Sequence, residues 1–197
     1  MAVRFSTTEL KVLQNIKFFE VKAAAIKKID AQLANVRDVL KSEIENQKIV
    51  FPKEVDARTG KIFRGENYLG LPYLVLDYPK CFSKNSVYAF RTMFWWGNFY
   101  SCTLHLQGNA LEENRNKLVA KIKLLKNKNV HICMNSEPWQ YHYKKDNYVS
   151  IDKLSATELR KYFLKNKFVK LSRKIMVKDY KKLSTFSIES FKLFNIA

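Results

Sequence analysis

The elements legible in this chain predict an α+β domain with a largely antiparallel sheet built from hairpins. A long N-terminal amphipathic helix and a basic helix are expected to pack on it. Three observations carry that expectation. Residues 87–107, VYAFRTMFWWGNFYSCTLHLQ, read as two strands closed by Gly97 and Asn98. Residues 18–46 repeat apolar side chains at helical spacing. Elsewhere, strand patterns follow one another through turn-sized polar gaps, with helices before, between and after them, which is not βαβ order. The 197 residues suit one domain, 1–197.

Gly97 and Asn98 tolerate the positive φ angles of a two-residue hairpin loop. Such a loop places Trp96 opposite Phe99, Trp95 opposite Tyr100, Met93 opposite Cys102, Arg91 opposite Leu104 and Phe90 opposite His105. Alternation then sorts Phe90, Thr92, Phe94, Trp96, Phe99, Ser101, Thr103 and His105 onto one face. Arg91, Met93, Trp95, Tyr100, Cys102 and Leu104 fall on the other. Neither face is plainly wet, so the hairpin is expected inside a sheet covered on both sides.

Ser6 and Glu9 have capping-box spacing. In residues 18–46, Phe19, Ile26, Leu33 and Leu40 recur every seven residues, with Ile29, Val36 and Ile44 completing the stripe. The stripe packs on the protein's own sheet or, alternatively, forms a homodimer seam. Residues 58–61 read as a turn, 64–70 as a polar loop between glycines, and 71–78 as a buried strand ending at Pro79. Residues 109–128 read as the basic helix, with Leu111, Leu118, Ile122 and Leu125 inward. Short strands follow at 130–134 and 148–152. Trp139, Tyr141 and Tyr143 alternate with polar residues between them. Ser155 and Glu158 open a helix to about Lys165. Residues 168–177 read as an edge strand, with Lys170, Ser172 and Lys174 pointing outward, and 184–195 as a terminal helix.

Charge is the strongest bulk signal: 36 basic against 18 acidic residues, net +18. Residues 1–114 contribute only +4, whereas 115–128 contribute +6 and 153–182 contribute +9. Codon bias accounts for Lys replacing Arg but not for the scarcity of Asp and Glu in those two segments. A nucleic acid or other polyanion is the partner this implies, with Arg115, Lys117, Lys121, Lys128, Lys170 and Lys174 as the contacts. The N-terminus has no signal-peptide core, and no window offers the ~20 apolar residues of a membrane span. Three scattered cysteines suit a reducing, cytoplasmic compartment.

Phosphate-cradling glycine motifs and metal-ligand spacings are absent, so no cofactor and no metal are expected. His131 and Cys133 share a strand face without a third ligand. Cys102 and His105, three apart on a strand, fall on opposite faces and cannot act as a pair. The polar set that stands out is Arg64, Glu66, Asn67, Asp77, Arg91 and His105. Arg91 lies among apolar side chains and needs a carboxylate, Glu66 or Asp77, or else an anionic ligand in an aromatic-lined pocket. His105 is expected on the opposite face as a packed, hydrogen-bonded histidine. Trp95, Trp96, Phe99 and Tyr100 suit core more than a base-stacking platform.

The segments GENYLGLPYLVLDYP and FRTMFWWGNF, within residues 65–99, resemble a group of small bacterial proteins without a known function. The resemblance implies no activity, cofactor or substrate. The reading as a whole is a polyanion binder without catalysis, the alternative being a small-ligand protein or enzyme built around Arg91.

Overall fold

The computed structural model describes residues 3–196. Among them, seven antiparallel strands form one sheet: β1 (Lys61–Tyr68), β2 (Leu71–Phe82), β3 (Ser86–Trp95), β4 (Phe99–Gly108), β5 (His131–Cys133), β6 (Tyr148–Ser150) and β7 (Phe168–Met176). Their spatial order is β1-β2-β3-β4-β7-β5-β6, so a four-strand meander is extended by β7, which inserts before β5. The helices are α1 (Thr7–Leu13), α2 (Ile16–Asn46), α3 (Asn109–Glu112), α4 (Arg115–Ala120), α5 (Ile122–Leu125), α6 (Ala156–Lys165) and α7 (Leu183–Phe194). The α+β architecture with a long N-terminal helix is as expected.

Helix α2 starts where the Asn15 side chain accepts the Phe18 N–H at 2.9 Å. Its stripe of Ile29, Leu33, Val36, Leu40 and Ile44 is buried in the core. Fully burying such a side chain stabilises by about 1.5–3 kcal/mol, which makes this helix a major contributor. The stripe thus packs inside the chain from Ile29 onward, as the first of the two readings of residues 18–46 has it, and that part is not free to form the alternative homodimer seam. Helix α7 packs beside α2, with Asn35 Nδ2 donating to Ser184 Oγ at 2.8 Å. Together they cover the sheet face that carries Leu76, Phe90, Cys102, Leu104 and Leu171.

The hairpin tip differs from the expected one, with consequences for every residue of β4. Trp95 pairs with Phe99, leaving Trp96, Gly97 and Asn98 as a three-residue loop. Asn98 N–H bonds the Trp95 carbonyl at 3.1 Å, and Gly97, at φ +69°, occupies the position where a type II turn needs positive φ. A slip of one residue exchanges the faces of the whole strand. Phe99, Ser101, Thr103 and His105 thus join Arg91, Met93 and Trp95, while Tyr100, Cys102 and Leu104 join Phe90 and Phe94. His105 therefore lies on the same face as Arg91.

Three further corrections matter. Residues 64–68 belong to β1, and the tight turn lies at Leu69 and Gly70, both at positive φ. The basic helix is broken into α3, α4 and α5. Asn114 Nδ2 takes the Ala110 carbonyl at 2.8 Å, competing for a helical acceptor between α3 and α4. Strand β7 is interior, not an edge, and Lys170 is fully buried instead of pointing outward.

Candidate functional site

The register aligns a polar row across the sheet face opposite α2 and α7. Asp77 of β2 faces Arg91 of β3, which faces Thr103 of β4, then Ser172 of β7 and His131 of β5. Two residues along the strands, on the same face, His105 faces Lys170. Residues 134–147, irregular apart from turns, run over this row as a strap. Tyr141 and Tyr143, expected in a strand pattern, belong to the strap.

Arg91 and Asp77 form a bidentate pair at 2.7 and 2.8 Å, and Arg91 Nη1 donates to the Tyr141 hydroxyl at 2.8 Å. Burial opposes the arginine's charge, but the Asp77 carboxylate more than offsets this and holds its pKa above the ordinary value. Among the described residues, Lys170 meets no carboxylate. It donates to the carbonyls of Pro138 and Gln140 and lies over the rings of Tyr141 and Tyr148. Burial lowers its pKa to about 7. His105 packs edge-on against Trp139 and Phe168. Among the described residues neither ring nitrogen makes a hydrogen bond of good geometry, Gln107 being the polar side chain beside the ring. Burial first, then the charges of Lys170 and Arg91, lower it to about 3.

Thr103 Oγ1 and Ser172 Oγ lie 2.7 Å apart, and the Tyr143 hydroxyl reaches the same serine. The Tyr68 hydroxyl accepts from the backbone N–H groups of Tyr141 and His142 at 2.7 and 3.0 Å. Most polar side chains of the row are thus occupied in fixing the strap. Asp77, Arg91, His105 and Lys170 line none of the principal cavities.

The remaining members of the predicted polar set lie elsewhere. Arg64 pairs with Asp30 of α2, Glu66 with Lys22 at 3.3 Å, and Asn67 accepts from Gly70 N–H within the β1–β2 turn. Of the set, only Asp77, Arg91 and His105 share one buried face. Tyr68, Tyr141, Tyr143 and Ser172 were missed. The alternation of Trp139, Tyr141 and Tyr143 was their one visible signal.

The predicted polyanion contacts do not form one surface. Arg115 holds Glu112 bidentately and donates to the carbonyls of Phe163 and Asn166. Lys117 and Lys121 donate to the carbonyls of Ile196 and Leu193 beyond and within the end of α7. Lys174 lies over the rings of Phe99 and Tyr143, on the strap side of the sheet. Lys128 is exposed.

A different basic surface surrounds the C-terminal end of α6. A cavity of about 520 Å³ is lined by Met134, Asn135, Lys165, Asn166, Lys167 and neighbouring residues. It adjoins one of about 260 Å³ lined by Leu154, Glu158 and Lys161, the two sharing Met134, Tyr162, Lys165 and Asn166. Glu158, the one carboxylate in either lining, is bound to Ser155 in the capping box of α6. Among the described residues, no cluster of His, Cys, Asp and Glu is arranged to hold a metal. Comparison with family models, with curated proteins and with solved structures finds no significant match.

Proposed function

We propose that the protein binds a polyanion, nucleic acid by its phosphate backbone, in the groove beside α6 and performs no catalysis there. One observation carries this reading. Arg160, Lys161, Lys165 and Lys167 place four exposed cations within eight residues, and none is ion-paired among the described residues. Lys161 and Lys165 are one turn apart and line the groove with Lys167. A bare helix C-terminus would repel phosphate. Here Arg115 meets the carbonyls of Phe163 and Asn166 at 2.6 and 2.9 Å, which offsets that repulsion. Lys144 and Lys145 extend the positive surface, on a loop tied to the groove wall through Asn135. The exposed polar side chains at hand are mainly lysines, with Asn135, Asn166 and Ser136 beside them and Glu158 held in its cap, which suits backbone contacts and little sequence preference.

Fluorescence anisotropy with labelled duplex and single-stranded oligonucleotides tests this. About four phosphate contacts give a slope of log K against log salt near −3 to −4 on duplex DNA. Reversing Lys161, Lys165 and Lys167 to Glu should weaken binding at least tenfold and remove most of that slope. These side chains are exposed, so the variant should fold normally. Absence of binding at ~50 mM salt, or unchanged binding by the triple variant, would overturn the reading.

A further inference from the structure

On the opposite side of the sheet from the strap, a cleft of about 680 Å³ opens between α2, the β3–β4 tip and residues 176–180. Its volume falls in the ~300–1,000 Å³ range of small-molecule sites. Phe94, Trp96 and Tyr100 supply aromatic walls, and Met176, Val177 and Tyr180 line it while remaining 52, 37 and 45% exposed. Apolar side chains gathered at an open concavity are an uncovered binding surface more than a defect of packing.

Several polar groups of this cleft can donate, although the Asn98 side-chain oxygen, whose amide nitrogen is spent on the Trp96 carbonyl, remains an acceptor. The Trp96 indole nitrogen is buried without an acceptor among the described residues. Gln32 Oε1 accepts the Tyr100 hydroxyl at 2.7 Å, which leaves the amide nitrogen to donate. Lys28 and Lys178 stand on either side, exposed and, among the described residues, free of ion pairs. Among the described residues no carboxylate lines the cleft, and nearby Asp179 is turned to Lys182 at 3.8 Å. An orphaned buried donor is costly unless a ligand meets it.

We propose that this cleft binds an apolar molecule carrying one carboxylate, its body against Phe94, Trp96 and Tyr100 and its anionic head toward Lys28 and Lys178. The site is independent of the polyanion groove. An aliphatic and an aromatic acid present the same chemistry, and the test separates them.

The chain has three tryptophans, so an indole N–H spectrum contains three resonances. Trp95 is committed to the Tyr68 carbonyl on the other face and, with Trp139, serves as an internal control. Titration with dodecanoate, 2-naphthoate and the neutral amide of each should shift the Trp96 signal saturably, with the acid preferred. The signal is assigned with Trp96→Phe. Ala25→Trp, which fills the cleft from α2, should abolish the shift. Lys28→Met with Lys178→Met should weaken the acids by about fivefold per lysine, the scale of exposed charge pairs, and spare the amides. A response to only one acid supports the proposal and identifies the body as aliphatic or aromatic. A silent Trp96 signal up to ~1 mM of both acids overturns it. So does binding that survives Ala25→Trp, or equal affinity for acid and amide.

Discussion

The Lys170 ammonium lies 4.0 Å from the centroid of the Tyr141 ring, while the Tyr141 hydroxyl accepts from Arg91 Nη1 at 2.8 Å. Two buried cations from β7 and β3 therefore converge on one strap residue. Asp77 is the carboxylate at hand, and Arg91 takes both of its oxygens. Lys170 is left with backbone carbonyls and π faces, which stabilise a cation less than a carboxylate does. That inequality makes the strap sensitive to pH.

Lys170 sheds its proton near pH 7 in the folded protein, through burial, and near 10.4 when unfolded. Below about 7 both states are protonated and the full penalty of the buried charge applies. As pH rises from 7 toward 10, the unfolded state holds the extra proton, so stability increases. The gain between pH 7 and 9.5 is as much as about 3 kcal/mol, at 1.36 kcal/mol per unit. Burial raises Cys102 and Cys133 and several tyrosines, whose ionisation on unfolding opposes this gain, so the two proteins must be compared. Relative to Lys170→Met, the wild-type urea midpoint should rise across that range. Parallel profiles for the two proteins would mean that Lys170 remains charged.

His105 acts on the acid side. Its folded pKa of about 3 lies below the unfolded value near 6.5, because burial and then Lys170 and Arg91 disfavour the imidazolium. Stability is complete above pH 6.5 and is lost as pH falls toward 3. His131 and His142 are lowered as well, so the informative quantity is the difference between proteins. His105→Phe removes two unbonded ring nitrogens and should melt no lower than the wild type at pH 7. It should also resist acid better, its unfolding midpoint falling by several tenths of a pH unit. Equal acid midpoints for the two proteins would show that His105 does not titrate on unfolding.

Much of the fold was legible because burial and periodicity coincide. The α2 stripe, both capping boxes, α6 and the hairpin strands of the meander all read directly from residue spacing. The candidate sites were harder. One loop residue decided which face His105 occupied, and a Gly-Asn pair fits a two-residue or a three-residue tip equally well. Lys170 looked like an edge lysine since sequence alone does not reveal that residues 134–147 return to cover it. The lysines of α4 and its C-terminal end read as a charged face, yet Lys117 and Lys121 meet carbonyls at the end of the chain, 79 and 72 residues away. Such contacts depend on tertiary return, which local patterns do not encode. The groove at α6 combines two distant segments and the cleft at the hairpin tip three, for the same reason.

The Arg91 and Asp77 pair invites a double-mutant cycle. Arg91→Met leaves a carboxylate that is 3% exposed without its partner, a loss of roughly 3–5 kcal/mol. Asp77→Leu alone strands the guanidinium to a similar degree. The double variant should recover at least half of either loss, since hydrophobic replacement of a whole buried pair is often close to neutral. Chemical denaturation of the four proteins measures the coupling. Simple additivity would show that the pair does not act as a unit.

Two glycines test the turn geometry through different physics. Gly97 and Gly108 both have positive φ, +69° and +62°. A Cβ at Gly97 meets nothing within 4 Å, so Gly97→Ala carries only the backbone penalty of about 1–2 kcal/mol. Gly97→Asn should cost less, because asparagine tolerates that region. A Cβ at Gly108 would lie 2.1 Å from the backbone oxygen of Asn85, which cannot move without disturbing the β2–β3 turn and the bond it accepts from Asn109 N–H. Gly108→Ala should therefore lose more than about 3 kcal/mol or fail to accumulate as folded protein. Thermal melts of the three variants rank them: Gly97→Asn nearest wild type, Gly97→Ala next, Gly108→Ala far below. If Gly97→Ala is the worst of the three, the three-residue tip is misplaced and the faces of β4 must be reassigned.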